Sequence, residues 1–278
     1  MRTSVFCSLA ATAAIAGLFA SVSTDALAEG GNVGVLVLKE HGVGSAAQAQ
    51  PYVDRLVATA AKQAGWASAK GEYHTNRANA ETFISGQKPM FGILSLGAFL
   101  GMKGKHNLDV IGQVSVSRAG GQQYHLISKT ASDLGGCKGQ TLASDHADDA
   151  KFIEKVVAKG AFKLGDFTLV ATTRPLQTIK KVVNGDAVCA LIDDAQYAEL
   201  GKLDGAANVK SVWASDKLPP MVVVAFPAAG SADRSAFQNA LGKICEGDGK
   251  ATCGEVGISS MKSASASDYA AVVSAYDK

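Results

Sequence analysis

Asn32-Val-Gly-Val-Leu-Val-Leu-Lys39 decides the architecture. It is an almost unbroken aliphatic run between polar residues. A strand with one wet face alternates apolar and polar side chains, whereas a strand covered on both faces has no reason to. The run therefore predicts a strand inside a parallel-rich sheet with helices above and below it. Downstream, an Ala-rich segment over 46–65 carries Tyr52, Leu56 and Val57 at helical spacing and can stop at Gly65. A short helix is expected over 81–86, a second buried strand over 90–96, the start of a helix at 98–103 and a third strand over 108–116.

The same grammar then repeats. Strands are expected at 124–128, 141–143, 167–171, 187–192, 209–213 and 221–226, with helices at 147–159, 176–184, 195–200, 235–245 and 266–275. Alternating strands and helices make this an α/β chain. No low-complexity linker interrupts it, so two lobes would have to be joined by strand-like crossings. Two segments suit that role: 116–124, with Gly120-Gly121, and 215–221, with Pro219-Pro220. Paired glycines give backbone freedom, and paired prolines cannot continue a central strand.

Upstream, Arg2 precedes an apolar run over 9–22 that ends near Ala26-Leu27-Ala28. The run is shorter than the roughly 20 residues that span a bilayer. The layout is that of a cleavable secretory signal over 1–28, which predicts export to the periplasm. A chain of 278 residues, 47% hydrophobic and 19% charged, can build a large core. Its net charge of +2, with no basic stripe, argues against nucleic acid as partner. Cys7 leaves with the signal, and four cysteines remain. The Gly-containing loop between Cys245 and Cys253 favours their pairing, which leaves Cys137 with Cys189. A four-cysteine metal site is the alternative, although no C-x-x-C pair exists.

Three stretches resemble the periplasmic substrate-binding proteins of ABC importers, in the phosphate, phosphite and phosphonate-binding group. Over 127–143, Asp133-Leu134-Gly135-Gly136-Cys137-Lys138 lies between two strands. Over 178–194, a helix ends in Asn184-Gly185-Asp186-Ala187 and a strand ends in aspartate. Over 209–226, Leu218-Pro219-Pro220 precedes a final apolar strand. The resemblance implies a two-lobed fold of the type 2 periplasmic-binding class, with one lobe over 29–117 plus 222–278, the other over 118–221, and two hinge crossings. It further implies a monomeric receptor, without cofactor or catalysis, that captures a small molecule and passes it to a membrane permease. One departure matters. Where relatives carry a Ser/Thr-Ser-Gly run at a helix start, this chain has Ser144-Asp145-His146-Ala147-Asp148-Asp149. Carboxylates at a helix N-terminus satisfy the dipole internally and repel an anion, so a simple phosphonate is not the expected ligand. A metal-ion or apolar-ligand receptor, or a sensor working without a transporter, remains an alternative.

In open α/β sheets, ligands bind beyond the carboxyl ends of strands. That rule selects Lys39, Glu40 and His41, then Ser95, then Arg118 in the first crossing, then Ser144, Asp145 and His146, then Thr173 and Arg174, then Asp193 and Asp194. Each also has a plainer reading. Asp145 or Asp148, and Asp193, suit helix N-caps. Arg174 could pair with Asp193, and Lys39 with Glu40. Leu96, Phe99 and Met102 suit the core. No G-x-S-x-G, H-E-x-x-H, P-loop or dinucleotide fingerprint is present, which removes the usual enzyme signatures.

Overall fold

The computed structural model describes residues 32–41, 45–116 and 121–278. The expected leader, its cleavage point and Arg118 lie outside the described residues.

The chain opens with β1 (Val33–Leu38), α1 (Ala46–Ala64), β2 (Ala69–His74), α2 (Arg77–Gln87), β3 (Phe91–Leu94), α3 (Leu96–His106) and β4 (Asp109–Val116). It crosses to β5 (Tyr124–Ser128), α4 (Leu134–Cys137), β6 (Thr141–Ser144), α5 (Ala150–Phe152), β7 (Thr168–Ala171), α6 (Pro175–Val183), β8 (Cys189–Asp193), α7 (Asp194–Glu199) and β9 (Lys210–Ala214). It returns through β10 (Met221–Ala225), α8 (Ser231–Ile244), α9 (Gly249–Glu255), β11 (Ile258–Ser263) and α10 (Ala270–Asp277). Two sheets result, ordered β11-β4-β10-β3-β1-β2 and β7-β6-β8-β5-β9.

The opening run behaves as its composition demands. Val33, Val35 and Val37 pack beneath α1 and α8 with Phe91 and Phe237, while Leu36 and Leu38 face the opposite layer with Leu94 and Phe226. Both faces of β1 are therefore covered. Ser45 and Gln48 form a reciprocal capping box at the start of α1, and Gly65, with φ of 74°, ends it. α1 lies so close to β2 that a Cβ on Gly71 would sit 2.7 Å from Val57 Cγ2. Among the described residues, no helix is long and apolar enough to cross a membrane.

β1, β2 and β3 are parallel, as are β6, β7 and β8, whereas β10 and β5 enter their sheets antiparallel. The crossings explain this. A chain that leaves one sheet at the carboxyl ends of its strands must begin the next strand at the cleft and run away from it. The two crossings are also tied together. Leu218 N donates to the Gln122 carbonyl at 2.7 Å, and Gln123 Nε2 donates to the Ser215 carbonyl at 2.8 Å.

Four elements escaped the sequence reading: β2, α4, α9 and β11. β2 and β11 are the two edges of the larger sheet, each with a single buried residue, Gly71 and Met261. The helix expected over 147–159 instead starts at Ala150, because Asp149 caps it, and continues as a π-helical turn over Ile153–Val157. The cysteines pair as expected. Cys137 joins Cys189 with Cα atoms 6.0 Å apart, and Cys245 joins Cys253 at 5.5 Å.

Candidate functional site

The carboxyl ends of β1, β3, β6 and β8 and the amino ends of β5 and β10 converge between the two sheets. They enclose a cavity of about 40 Å³. Lys39, Glu40, His41 and Ser95 contribute from one side, and His146 and Asp193 from the other. Tyr124, Phe152, Gly121 and Gln122 complete the wall with Pro219 and Met221 of the second crossing. A wider groove of about 1100 Å³ opens beside it. Ser144, Asp145, Thr173 and Arg174 face Ser45, Gln48, Thr75 and Asn76 there, and Glu40 and His41 border both spaces. Asp194 takes neither position. Its Oδ1 accepts from Gly121 N at 2.6 Å and anchors the end of the first crossing.

Arg77, at the start of α2, organises the cavity floor. Its Nε and Nη2 donate to the two oxygens of Glu40 at 2.8 and 2.9 Å, and Nη2 also reaches Asp149 Oδ2 at 3.0 Å. Glu40 and Arg77 belong to the larger sheet's lobe and Asp149 to the other, so the guanidinium bridges the cleft. Burial opposes the charge on Arg77, but the two carboxylates outweigh it and raise its pKa. Asp149 Oδ1 meanwhile accepts from Phe152 N at 2.9 Å and caps α5. Thus the amino end of the helix after β6 already holds a carboxylate, with an arginine behind it.

His41 and His146 approach from opposite sides, with ring centroids 4.4 Å apart. Burial works against protonation of His41, but its 3.4 Å contact with Asp148, helped by Asp145 and Glu40, raises its pKa. Burial and the neighbouring His41 lower that of His146, whose Nε2 lies 3.2 Å from Gln196 Oε1. Asp145 is buried without a cation. It accepts from Gln196 Nε2 at 3.0 Å and from Thr178 Oγ1 at 2.8 Å.

Several sequence alternatives are corrected by this geometry. Asp149 caps α5 in place of Asp145 or Asp148. Glu40 pairs with Arg77 and not with Lys39. Arg174 is exposed at the start of α6, away from the buried Asp193. Asp193 does cap α7, with Oδ1 accepting from Gln196 N at 2.8 Å. Phe99 and Met102 belong to the core, while Leu96 reaches the cavity wall. Among the described residues, no group of three or more His, Cys, Asp or Glu side chains is placed to hold a metal ion.

Arg77, Tyr124 and Phe152 were absent from the sequence-derived set. Tyr124 had a usable signal, since it opens the strand directly after a crossing. Arg77 had none, because its partners lie 37 and 72 residues away.

Two hydroxyl-bearing residues line the enclosed space. Ser95 Oγ is buried and makes no hydrogen bond, although Ser95 sits at the N-cap of α3. Tyr124 is 6% exposed. Burial, with Asp193 and other carboxylates nearby, raises its pKa well above the ordinary value.

The sequence over residues 115–269 matches the family model for the periplasmic substrate-binding protein of phosphonate ABC transporters. No curated protein sequence matches significantly. Among solved structures, the chain is similar to a binding-protein component of an ABC phosphonate transporter from Pseudomonas aeruginosa. That pair has 14% identity, 88% of this chain and 85% of that one covered, and a TM-score of 0.67. A Prochlorococcus marinus protein, PhnD1, in complex with methylphosphonate aligns at 11% identity, with 87% and 96% covered and a TM-score of 0.65. The aliphatic sulphonate-binding protein of Escherichia coli aligns at 11% identity, with 88% and 90% covered and a TM-score of 0.58. At these identities the structural likeness speaks for the fold.

Proposed function

Since the chain belongs to the periplasmic substrate-binding proteins of phosphonate ABC transporters, we propose that it is an exported, monomeric receptor whose two lobes close on one small solute. Residues 1–28 would be removed on export, and the lobes would comprise 29–117 with 222–278, and 118–221. A permease would then recognise the closed form. Family membership makes it a binding protein.

The observation that carries this reading is the enclosed cavity at the strand ends, walled by both lobes, with the buried and unpartnered Ser95 hydroxyl among its lining residues. An unpaired buried polar group costs about 1–3 kcal/mol, and a bound solute would recover that cost only in the closed state. Ligand would therefore shift the population toward closure. Asp149 at the α5 amino end weighs against a simple phosphonate as that solute.

The test is native mass spectrometry of protein purified from its own periplasm, followed by small-angle scattering with and without the released compound. A bound solute that shrinks the radius of gyration supports the reading. A protein whose scattering no solute changes sinks it.

A further inference from the structure

Two imidazoles meet face to face across the cleft. His41 follows β1 of the larger sheet and His146 follows β6 of the smaller, and their ring centroids lie 4.4 Å apart. His146 is only 4% exposed, and its surroundings fix where its proton sits. Gln196 Nε2 donates to Asp145, and Gln196 Oε1 accepts from Asp193 N. At the 3.2 Å contact, His146 Nε2 must therefore donate to Gln196 Oε1, and a second proton has to go to Nδ1. Around the pair stand Lys39, Glu40 and Arg77 from one side, and Tyr124, Asp145, Asp148, Asp149 and Asp193 from the other. Arg77 is engaged by Glu40 and Asp149, and Asp148 by His41. Burial and then His41 oppose a charge on His146, and together they outweigh Asp145 and Asp193. Beside the cleft, residues 42–44 carry no ionisable side chain, and Arg118, outside the described residues, is a cation that cannot assist a second positive charge.

Resting on the receptor reading above, we propose that His41 and His146 make the cleft a proton-operated latch. The closed form excludes a second positive charge from His146, the open form admits it, and acid therefore opens the protein. The sign follows from which form binds more protons. In the open form His146 is hydrated and parted from His41, so it titrates near the ordinary value of about 6.5. Below that, each unit of pH raises the ratio of open to closed by up to about tenfold, until the closed form also takes the proton. Two neighbours pull the other way. The His41–Asp148 contact favours closure, but its contribution is complete once pH has fallen to about 6.5. Asp193, which burial raises from the ordinary value of about 3.9, takes up a proton at the acid end and favours closure there. The response is therefore read between about pH 7.5 and 5.5, a unit to either side of the ordinary histidine value.

Small-angle scattering of the ligand-free protein across that range tests this, with far-UV circular dichroism to confirm that the chain stays folded. The radius of gyration should grow as pH falls, with a midpoint below about 6.5, and should return on neutralisation. His146→Gln keeps an amide donor for Gln196 Oε1 but takes no proton, so its radius should stay constant. The His146 imidazole resonance, followed by NMR in the native protein, should titrate together with the radius. A native radius that does not change with pH overturns the latch. Growth that persists in folded His146→Gln overturns it as well, and so does an imidazole that titrates in full while the radius stands still. These outcomes leave the receptor reading in place, because that reading stands or falls by compaction with native solute at neutral pH.

Discussion

A buried carboxylate persists only where something replaces its lost water, and the acids of this cleft do so in different ways. Glu40 and Asp149 take a guanidinium, Asp145 takes an amide and a hydroxyl, and Asp148 takes His41. The last pairing is sensitive to pH. The folded protein raises the pKa of His41 and lowers that of Asp148, so both partners report the same attraction. A raised histidine contributes stability that is full below its unfolded value of about 6.5 and is lost as pH climbs through the folded value. Asp148 is 69% exposed, so solvent screens the bridge to about 0.5 kcal/mol or less. Comparing His41→Gln with the native protein by thermal unfolding should show a deficit that is widest below about pH 6.5 and fades as pH rises through the folded value. A deficit that is flat with pH would mean that no charged bridge exists. His146, held below the ordinary value, works in the opposite direction as pH falls. The sequence could nominate His41, His146 and Asp193 because strand ends are readable from pattern. It could not assign partners, since Arg77, Glu40 and Asp149 meet only after both sheets form.

Among the elements, strands with two covered faces were readable, and so were the edge strands β7 and β9 of the smaller sheet, which keep aliphatic or aromatic residues, but the edge strands of the larger sheet were not. β1, β3 and β10 announce themselves as aliphatic runs, whereas β2 reads Ala-Lys-Gly-Glu-Tyr-His and β11 reads Ile-Ser-Ser-Met-Lys-Ser. β2 and β11 bury one residue each, too little to leave a hydrophobic signature. The disulfides link elements over very different lengths. Cys137, at the end of α4, and Cys189, at the start of β8, are 52 residues apart, while Cys245 and Cys253 are 8 apart. Loop-closure entropy assigns about 4 kcal/mol to the first bond and about 2.5 kcal/mol to the second. Urea unfolding of Cys137→Ser/Cys189→Ser should therefore show the larger loss, and Cys245→Ser/Cys253→Ser the smaller. The reverse order would show that α8 and α9 depend on their bond for packing and not merely for chain entropy.

At the scale of the molecule, the two lobes touch through more than the crossings. One apolar cluster runs from Leu36, Leu38 and Leu94 of the larger sheet to Leu126, Leu142 and Leu191 of the smaller one, with Phe152 between them. Lys151 lies over the ring of Tyr276 on α10, its Nζ 4.9 Å from the centroid. Beside the exposed His41–Asp148 pair, the Arg77–Asp149 bond is the charge-assisted contact across the cleft that, on the receptor reading, closure would make and opening would break. Asp149→Asn isolates it. Asn Oδ1 can still cap α5, but the amide nitrogen presents a donor to a donor at Arg77 Nη2, and a bond of about 1.5–3 kcal/mol is lost. That loss shifts the free protein toward the open form. Apparent ligand affinity falls in proportion to the fraction competent to bind, about tenfold if the closed form was the majority. The expected signature is a larger radius of gyration without ligand, weaker binding, and a radius with saturating ligand equal to that of the native protein. If Asp149→Asn weakens binding but leaves the ligand-free radius unchanged, the bridge shapes the cavity and does not hold the lobes together.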